Sequence, residues 1–349
     1  RMMHRGAVAA DGKTGDGSGL LLSMPDEFIR KVSSQNGVEL PAQFAVASVF
    51  TKNREHLETL SAICVNNDLK VVMIRDVPID INALGDQAIA SLPNIVQMII
   101  TPNSIMATNR FDALLYLSRK EAEHALVEDR DFYIASMSAK VLSYKGLVMP
   151  THIKEFYKDL NDEDFKISFS LFHQRFSTNT LPEWRLAQPF RAVAHNGEIN
   201  SVEGNRLNVK IKSESIKSEV FTPEEIDRIL PILQLNSSDS ASADNFFEFL
   251  IVNGMDFFKA VRAVIPSAWQ NAPHMDPELR AFYEYHSTVF EAWDGPAAFS
   301  VTDGRYVGCV LDRNGLRPSK YIITNDDTLL IASEYGVVDI AEENIKERG

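Results

Sequence analysis

Cysteine is nearly absent: the 349 residues hold two, Cys64 and Cys309. Two thiols cannot form a disulfide framework or ligate an iron–sulfur cluster unaided, and their scarcity suits a reducing, cytoplasmic setting. Cys64 shares an apolar helical stripe with Leu57, Leu60 and Ile63 and reads as core. Cys309 lies in a strand-like stretch after Asp303-Gly304 and reads as packed rather than reactive. Positive charge is also short. Lys and Arg number 35 against 48 Asp and Glu, a net charge of −13, and no basic stripe is visible, which argues against nucleic acid as a partner. No apolar run approaches the ~20 residues that cross a bilayer, so no membrane role is expected. The eight histidines offer no His-x-x-x-His pair, and Cys-x-x-Cys is missing, so no metal site is expected. The Gly-rich stretch from Gly12 to Gly19 imitates a phosphate-binding loop but opens with Gly-Lys-Thr, where a P-loop closes with it. An initiator Met is missing too. The chain opens at Arg1 and stops in a charged, helix-like run, so it is expected to be a piece of a longer polypeptide.

What is present is a regular alternation of patterns. Residues 39–103 read as strand (43–50), helix (54–67), strand (70–75), helix (82–91) and strand (94–101), a compact α/β unit with no polar constellation and the look of an inserted structural subdomain. Residues 111–126 carry the stripe of a long amphipathic helix, and a hairpin follows over 132–144. Residues 166–172 and 191–194 alternate as short strands, helical patterns fill 198–290, and four strands over 297–333 read as one antiparallel meander. Strands early, helices in the middle and strands late predict two sheets between helical layers rather than a βαβ repeat.

Chemistry concentrates in two stretches, His173-Gln174-Arg175-Phe176-Ser177-Thr178-Asn179-Thr180 and His195-Asn196-Gly197-Glu198-Ile199-Asn200. Asn196 can offer a side-chain N–H and Gly197 a backbone N–H to one developing negative charge, and Arg175 can grip a carboxylate through two parallel bonds. Each piece has a plainer reading. Asn-Gly is the commonest two-residue hairpin turn, and an isolated Arg is usually a surface ion pair. Asp239 opens a helical stretch and could cap it or pair an ammonium; on the residues alone the cap is favoured.

In combination these blocks carry a resemblance. His-Arg-Gly-Ala-Val-Ala-Ala-Asp-Gly-Lys-Thr-Gly-Asp-Gly (4–17), the two stretches above, Ser-Ser-Asp-Ser (237–240), Trp-Asp-Gly-Pro-Ala-Ala (293–298) and Asp-Arg-Asn-Gly-Leu-Arg-Pro (312–318) occur in order. The whole chain resembles the N-terminal glutaminase domain of glutamate synthase large subunits, a class II glutamine amidotransferase. The resemblance implies an α+β, four-layer αββα N-terminal-nucleophile hydrolase sandwich with an inserted small α/β subdomain. It implies that Arg175 binds the α-carboxylate of L-glutamine, Asp239 its α-ammonium, and Asn196 with Gly197 the oxyanion, while Thr178 lines the pocket. This reverses the cap reading of Asp239. The family's nucleophile is an N-terminal Cys, which residue 1 is not; this polypeptide alone is therefore expected not to hydrolyse glutamine, and the Cys is expected upstream. The ammonia released would go to 2-oxoglutarate at a synthase region of the same polypeptide. That region would carry FMN and an iron–sulfur cluster, with NADPH or ferredoxin as donor and a possible small electron-transfer subunit. No cofactor is expected in this chain. Two other readings stand beside this one: a catalytically dead glutamine-binding scaffold, or another class II amidotransferase, such as a phosphoribosyl or hexosamine enzyme.

Overall fold

Residues 45–51 and 94–102 are apolar on both of their faces, the mark of strands covered from two sides. The computed structural model describes residues 6, 8, 9, 11–174, 182–234 and 237–349. Its first half holds β1 (Ser18–Ser23), α1 (Asp26–Gln35), β2 (Ala45–Thr51), α2 (Glu55–Asn66), β3 (Leu69–Asp76), α3 (Asp86–Ala90), β4 (Asn94–Pro102), α4 (Thr108–Ala125), β5 (Tyr133–Ser138) and β6 (Val141–Gly146). Then come α5 (Ile153–Phe156), β7 (Ser170–His173), β8 (Val193–Gly197), α6 (Val202–Ser213), α7 (Pro223–Ile229), α8 (Asp239–Val252), α9 (Phe257–Val264) and α10 (Pro277–Val289). The chain closes with β9 (Ala297–Thr302), β10 (Val307–Leu311), β11 (Lys320–Thr324), β12 (Leu329–Ala332) and β13 (Ile345–Arg348).

Among the described residues four antiparallel sheets result, ordered β3-β4-β2-β5, β6-β1-β7, β10-β9-β8 and β12-β11-β13. Alternation along β2 and β4 sorts their side chains. Ala45, Ala47, Val49, Val96, Met98 and Ile100 pack with Leu57 and Leu60 of α2 and Phe111 and Leu114 of α4. Val46, Phe50, Ile95 and Ile99 pack instead with Leu22, Leu142 and Tyr144 of the β6-β1-β7 sheet. Helix, sheet and second sheet are thus stacked in an α+β arrangement. The helix-side core runs on without a break to Phe246 and Phe247 of α8 and to Val193, Phe299 and Val301 beneath β8 and β9.

Several patterns resolve differently from their sequence reading. The sheet begun by residues 39–103 is completed by β5 from outside that segment, which pairs with β2. The helix expected over 82–91 is a 3₁₀ turn, Ile81–Ala83, and the five-residue α3, with the extended Gly85 between them. The Gly-rich loop docks there: Asp11 accepts from Thr14 N at 2.7 Å and Gln87 N at 3.4 Å, so its polar groups serve the loop and α3. Hydrogen bonds from Thr14 hold the Asp11 carboxyl well below the usual range. The meander expected over 297–333 is split, because Asp312 turns the chain after β10. Its carboxylate accepts from Asn314 N at 2.9 Å, Leu316 N at 3.1 Å and Ala297 N at 3.2 Å. The charged run at the end of the chain is strand β13, paired with β11, rather than helix.

Lys145 of β6 is fully buried; its Nζ donates to Arg185 O at 3.0 Å and Tyr133 Oη at 3.2 Å and lies over the Tyr133 and Phe190 rings. Burial pushes its pKa well below the ordinary lysine value. The folded chain therefore holds this proton less tightly than the unfolded chain, and the group opposes folding at neutral pH, less so as pH rises. Lys145→Met is expected to raise stability at pH 7 by on the order of 1 kcal/mol in urea unfolding and to flatten the alkaline rise; a loss of stability would contradict this.

Candidate active site

β8 has β9 as its strand neighbour on one edge, from Val193 opposite Val301 to Gly197 opposite Ala297. Its other edge turns N–H groups outward at alternate residues, and buried N–H groups require acceptors. Val193 N donates to Asp244 Oδ1 at 2.9 Å, joined by Ala192 N at 2.8 Å. His195 N donates to Gln188 Oε1 at 2.7 Å. Just past the strand, Ile199 N donates to Asp239 Oδ2 at 3.0 Å. Residues 193, 195 and 199 are thus met by side-chain oxygens. Gly197 occupies the remaining place in that row.

Asn196-Gly197 is not a hairpin turn. Both residues lie inside β8, paired with Ala298 and Ala297. Gly197 has φ of +129°, and a Cβ there would overlap the Pro296 carbonyl oxygen and lie 2.9 Å from Ala297 Cα. A backbone so close to its partner strand admits only glycine. Asn196 beside it is half-buried.

The start of α8 meets this strand end. The cap is Ser238, whose side chain accepts from Ala241 N at 3.1 Å, so the preference for Asp239 as cap is corrected. One residue on, Asp239 is free to turn its carboxylate sideways. Oδ2 takes Ile199 N, while Oδ1 accepts from Ser240 N at 2.7 Å and Ser240 Oγ at 3.1 Å. Ser240 Oγ also lies 2.9 Å from Nδ1 of His195, a buried ring packed on Phe299. If the hydroxyl donates to Asp239, His195 carries its proton on Nδ1 and Nε2 faces the interior unprotonated. Burial lowers the His195 pKa.

Asp239 thus stands against the main chain two residues beyond Gly197, bringing together three of the five site residues expected from sequence. Arg175 and Thr178 lie outside the described residues; β7 ends two residues before Arg175. Gln188, Ser240 and Asp244 were missed. For Ser240 and Asp244 the signal is weak, two of several polar residues in a helix that also carries Phe246, Phe247 and Phe249. Neither cysteine is a nucleophile: Cys64 is fully buried on α2 with its thiol pushed up to about 12, and burial also raises Cys309, whose Sγ lies 3.5 Å from Ser319 Oγ. Among the described residues no helix is long and apolar enough to cross a membrane, and no group of three or more His, Cys, Asp or Glu is placed to hold a metal.

Comparison with known proteins gives a family match over residues 1–349, to the class-II glutamine amidotransferases. The glutamate synthase [NADPH] large chain of Bacillus subtilis is 41% identical, over 98% of this chain and 23% of its own. Glutamate synthase [NADH] of Schizosaccharomyces pombe is 38% identical over 100% of this chain and 17% of its own, and ferredoxin-dependent glutamate synthase 2 of Synechocystis is 36% identical over 100% and 23%. The chain spans about a quarter or less of the length of these relatives.

Two outcomes are expected. Gly197→Ala forces the end of β8 from β9 and lowers stability by about 3 kcal/mol or more in chemical denaturation; a wild-type midpoint would contradict the close approach. Because folding keeps His195 neutral, acidification below the ordinary histidine pKa of about 6.5 protonates the unfolded chain first and costs stability. His195→Asn should therefore flatten the fall in stability between pH 7 and 5, where one such histidine contributes at most about 1.4 kcal/mol per pH unit. An unchanged slope would contradict the assignment.

Proposed function

Because the chain belongs to the class II glutamine amidotransferase family, we propose that it is the glutaminase domain of a glutamate synthase, which within the full-length protein hydrolyses L-glutamine to L-glutamate and ammonia. The observation that carries this reading is the row of outward N–H groups on β8. Side-chain oxygens meet the N–H groups of residues 193 and 195 and, just past the strand, 199, and the Gly197 N–H between them, beside the Asn196 carboxamide, is read as the donor for a substrate oxygen. Asp239, at the start of α8 beside that strand end, receives the α-ammonium, and Arg175 with Thr178 completes the pocket at the α-carboxylate.

A thiolate from outside these residues adds to the side-chain amide carbon, and negative charge gathers on the oxygen held by Asn196 and Gly197. Collapse of that adduct breaks the C–N bond, and the nitrogen leaves as ammonia, taking up the proton that the thiol gave up on becoming a thiolate. Water then hydrolyses the γ-glutamyl thioester, releasing glutamate and regenerating the thiol. The ammonia passes to a synthase region of the same polypeptide and is added to 2-oxoglutarate. FMN and an iron–sulfur cluster, reduced by NADPH or ferredoxin with or without a small electron-transfer subunit, belong to that region. A cytoplasmic protein is the setting this chemistry and the low cysteine content fit.

In the full-length protein, Asp239→Asn is expected to raise KM for L-glutamine about tenfold or more, read as ammonia release, because a charged partner of the ammonium is lost. Glutamine binding without ammonia release in the wild type would favour a scaffold instead. An unchanged KM would remove Asp239 from the pocket.

A further inference from the structure

Helix α8 touches the outward edge of β8 at both of its ends. Asp239 holds Ile199 N beyond the strand, and Asp244 holds Ala192 N and Val193 N at its start. Asp244 is fully buried, so these two N–H groups and its charged surroundings are what make its carboxylate tolerable there. Arg191, one residue before the bonded amides, places Nη1 4.0 Å from Asp244 Oδ2 and donates through Nη2 to Glu123 Oε1 at 2.8 Å and Ile134 O at 2.7 Å. Glu123 in turn pairs with Arg119 at 2.6 Å, and Arg119 with Glu248 at 2.6 Å, one turn beyond Asp244 on α8. The network ties α4, β5, α8 and the root of β8 into one frame.

β8 is five residues long, so its two ends cannot move independently. A shift at Val193 is carried along the strand to Asn196 and Gly197. We propose that Asp244 is a positioning residue for amide hydrolysis: by gripping the first two amides of β8 it sets where the Gly197 N–H and Asn196 carboxamide stand relative to the oxygen that gains charge. This rests on the glutaminase reading above. Asp244 does not touch substrate, and its effect belongs to the step in which charge develops rather than to substrate capture, which falls to Asp239 at the opposite end of the strand.

The test is steady-state ammonia release from L-glutamine by the full-length protein, with Asp244→Asn and Asp244→Glu beside the wild type and melting temperatures measured in parallel. Asp244→Asn keeps an oxygen acceptor but loses the charge; Asp244→Glu keeps the charge but lengthens the arm. Both are expected to lower kcat about ten- to hundredfold while KM stays within about threefold, since donors aimed at the oxyanion act in the transition state. A lower melting temperature with wild-type kcat would mean a structural role only and overturn the inference. So would a raised KM with kcat retained. If Asp244→Asn does not fold, Asp244→Glu decides by the same split. A wild-type protein without glutaminase activity overturns the functional reading and this inference together, whereas an active wild type with a silent, folded Asp244→Asn overturns this inference alone.

Discussion

Everything at the site depends on carboxylates of one helix accepting hydrogen bonds from the backbone of one strand. An edge strand with unmet N–H groups would be costly in a protein interior, at about 1–3 kcal/mol for each group left without a partner. Here α8 and Gln188 supply the acceptors at residues 192, 193, 195 and 199. Gly197 lies between the amides so held, beside the Asn196 carboxamide. Stability and chemistry come from one row of hydrogen bonds.

That arrangement requires buried charge. Asp244, Glu248 and Glu123 share the interior with Arg119 and Arg191, and such pairs seldom repay the desolvation of their members against an apolar packing of equal volume. What they do supply is direction. A guanidinium donates in a fixed fork, and Arg191 uses it to bind Glu123 and the Ile134 carbonyl at once, which fixes the strand's root against β5. Lys145 and Tyr133 lie close to this frame, with burial raising the tyrosine to about 12.

Periodicity alone made β2, β4, α2 and α4 legible, because their apolar residues recur at the spacing of the faces they bury. It failed where a single polar side chain redirects the backbone. Asp312 splits the expected meander through bonds to residues on both sides of it, and nothing in the alternation of the flanking strands announces that. Asn196-Gly197 has the composition of a turn, yet its glycine answers to the Pro296 carbonyl across the strand pair, a contact of residues far apart in sequence. Ser238 and Asp239 could exchange roles on paper; only the position of Ile199 N shows which caps the helix and which faces the strand. Asp244 was invisible because a polar residue within a helical pattern reads as its solvated side, whereas α8 is enclosed and its acid faces β8.

The most direct measurement is a crystal structure of the full-length protein with L-glutamate, the product of the proposed reaction. The account predicts a side-chain carboxylate oxygen of the ligand within hydrogen-bond distance of Gly197 N and Asn196 Nδ2, with its ammonium on Asp239. A ligand bound elsewhere, or one reaching this strand end with its ammonium away from Asp239, would contradict it.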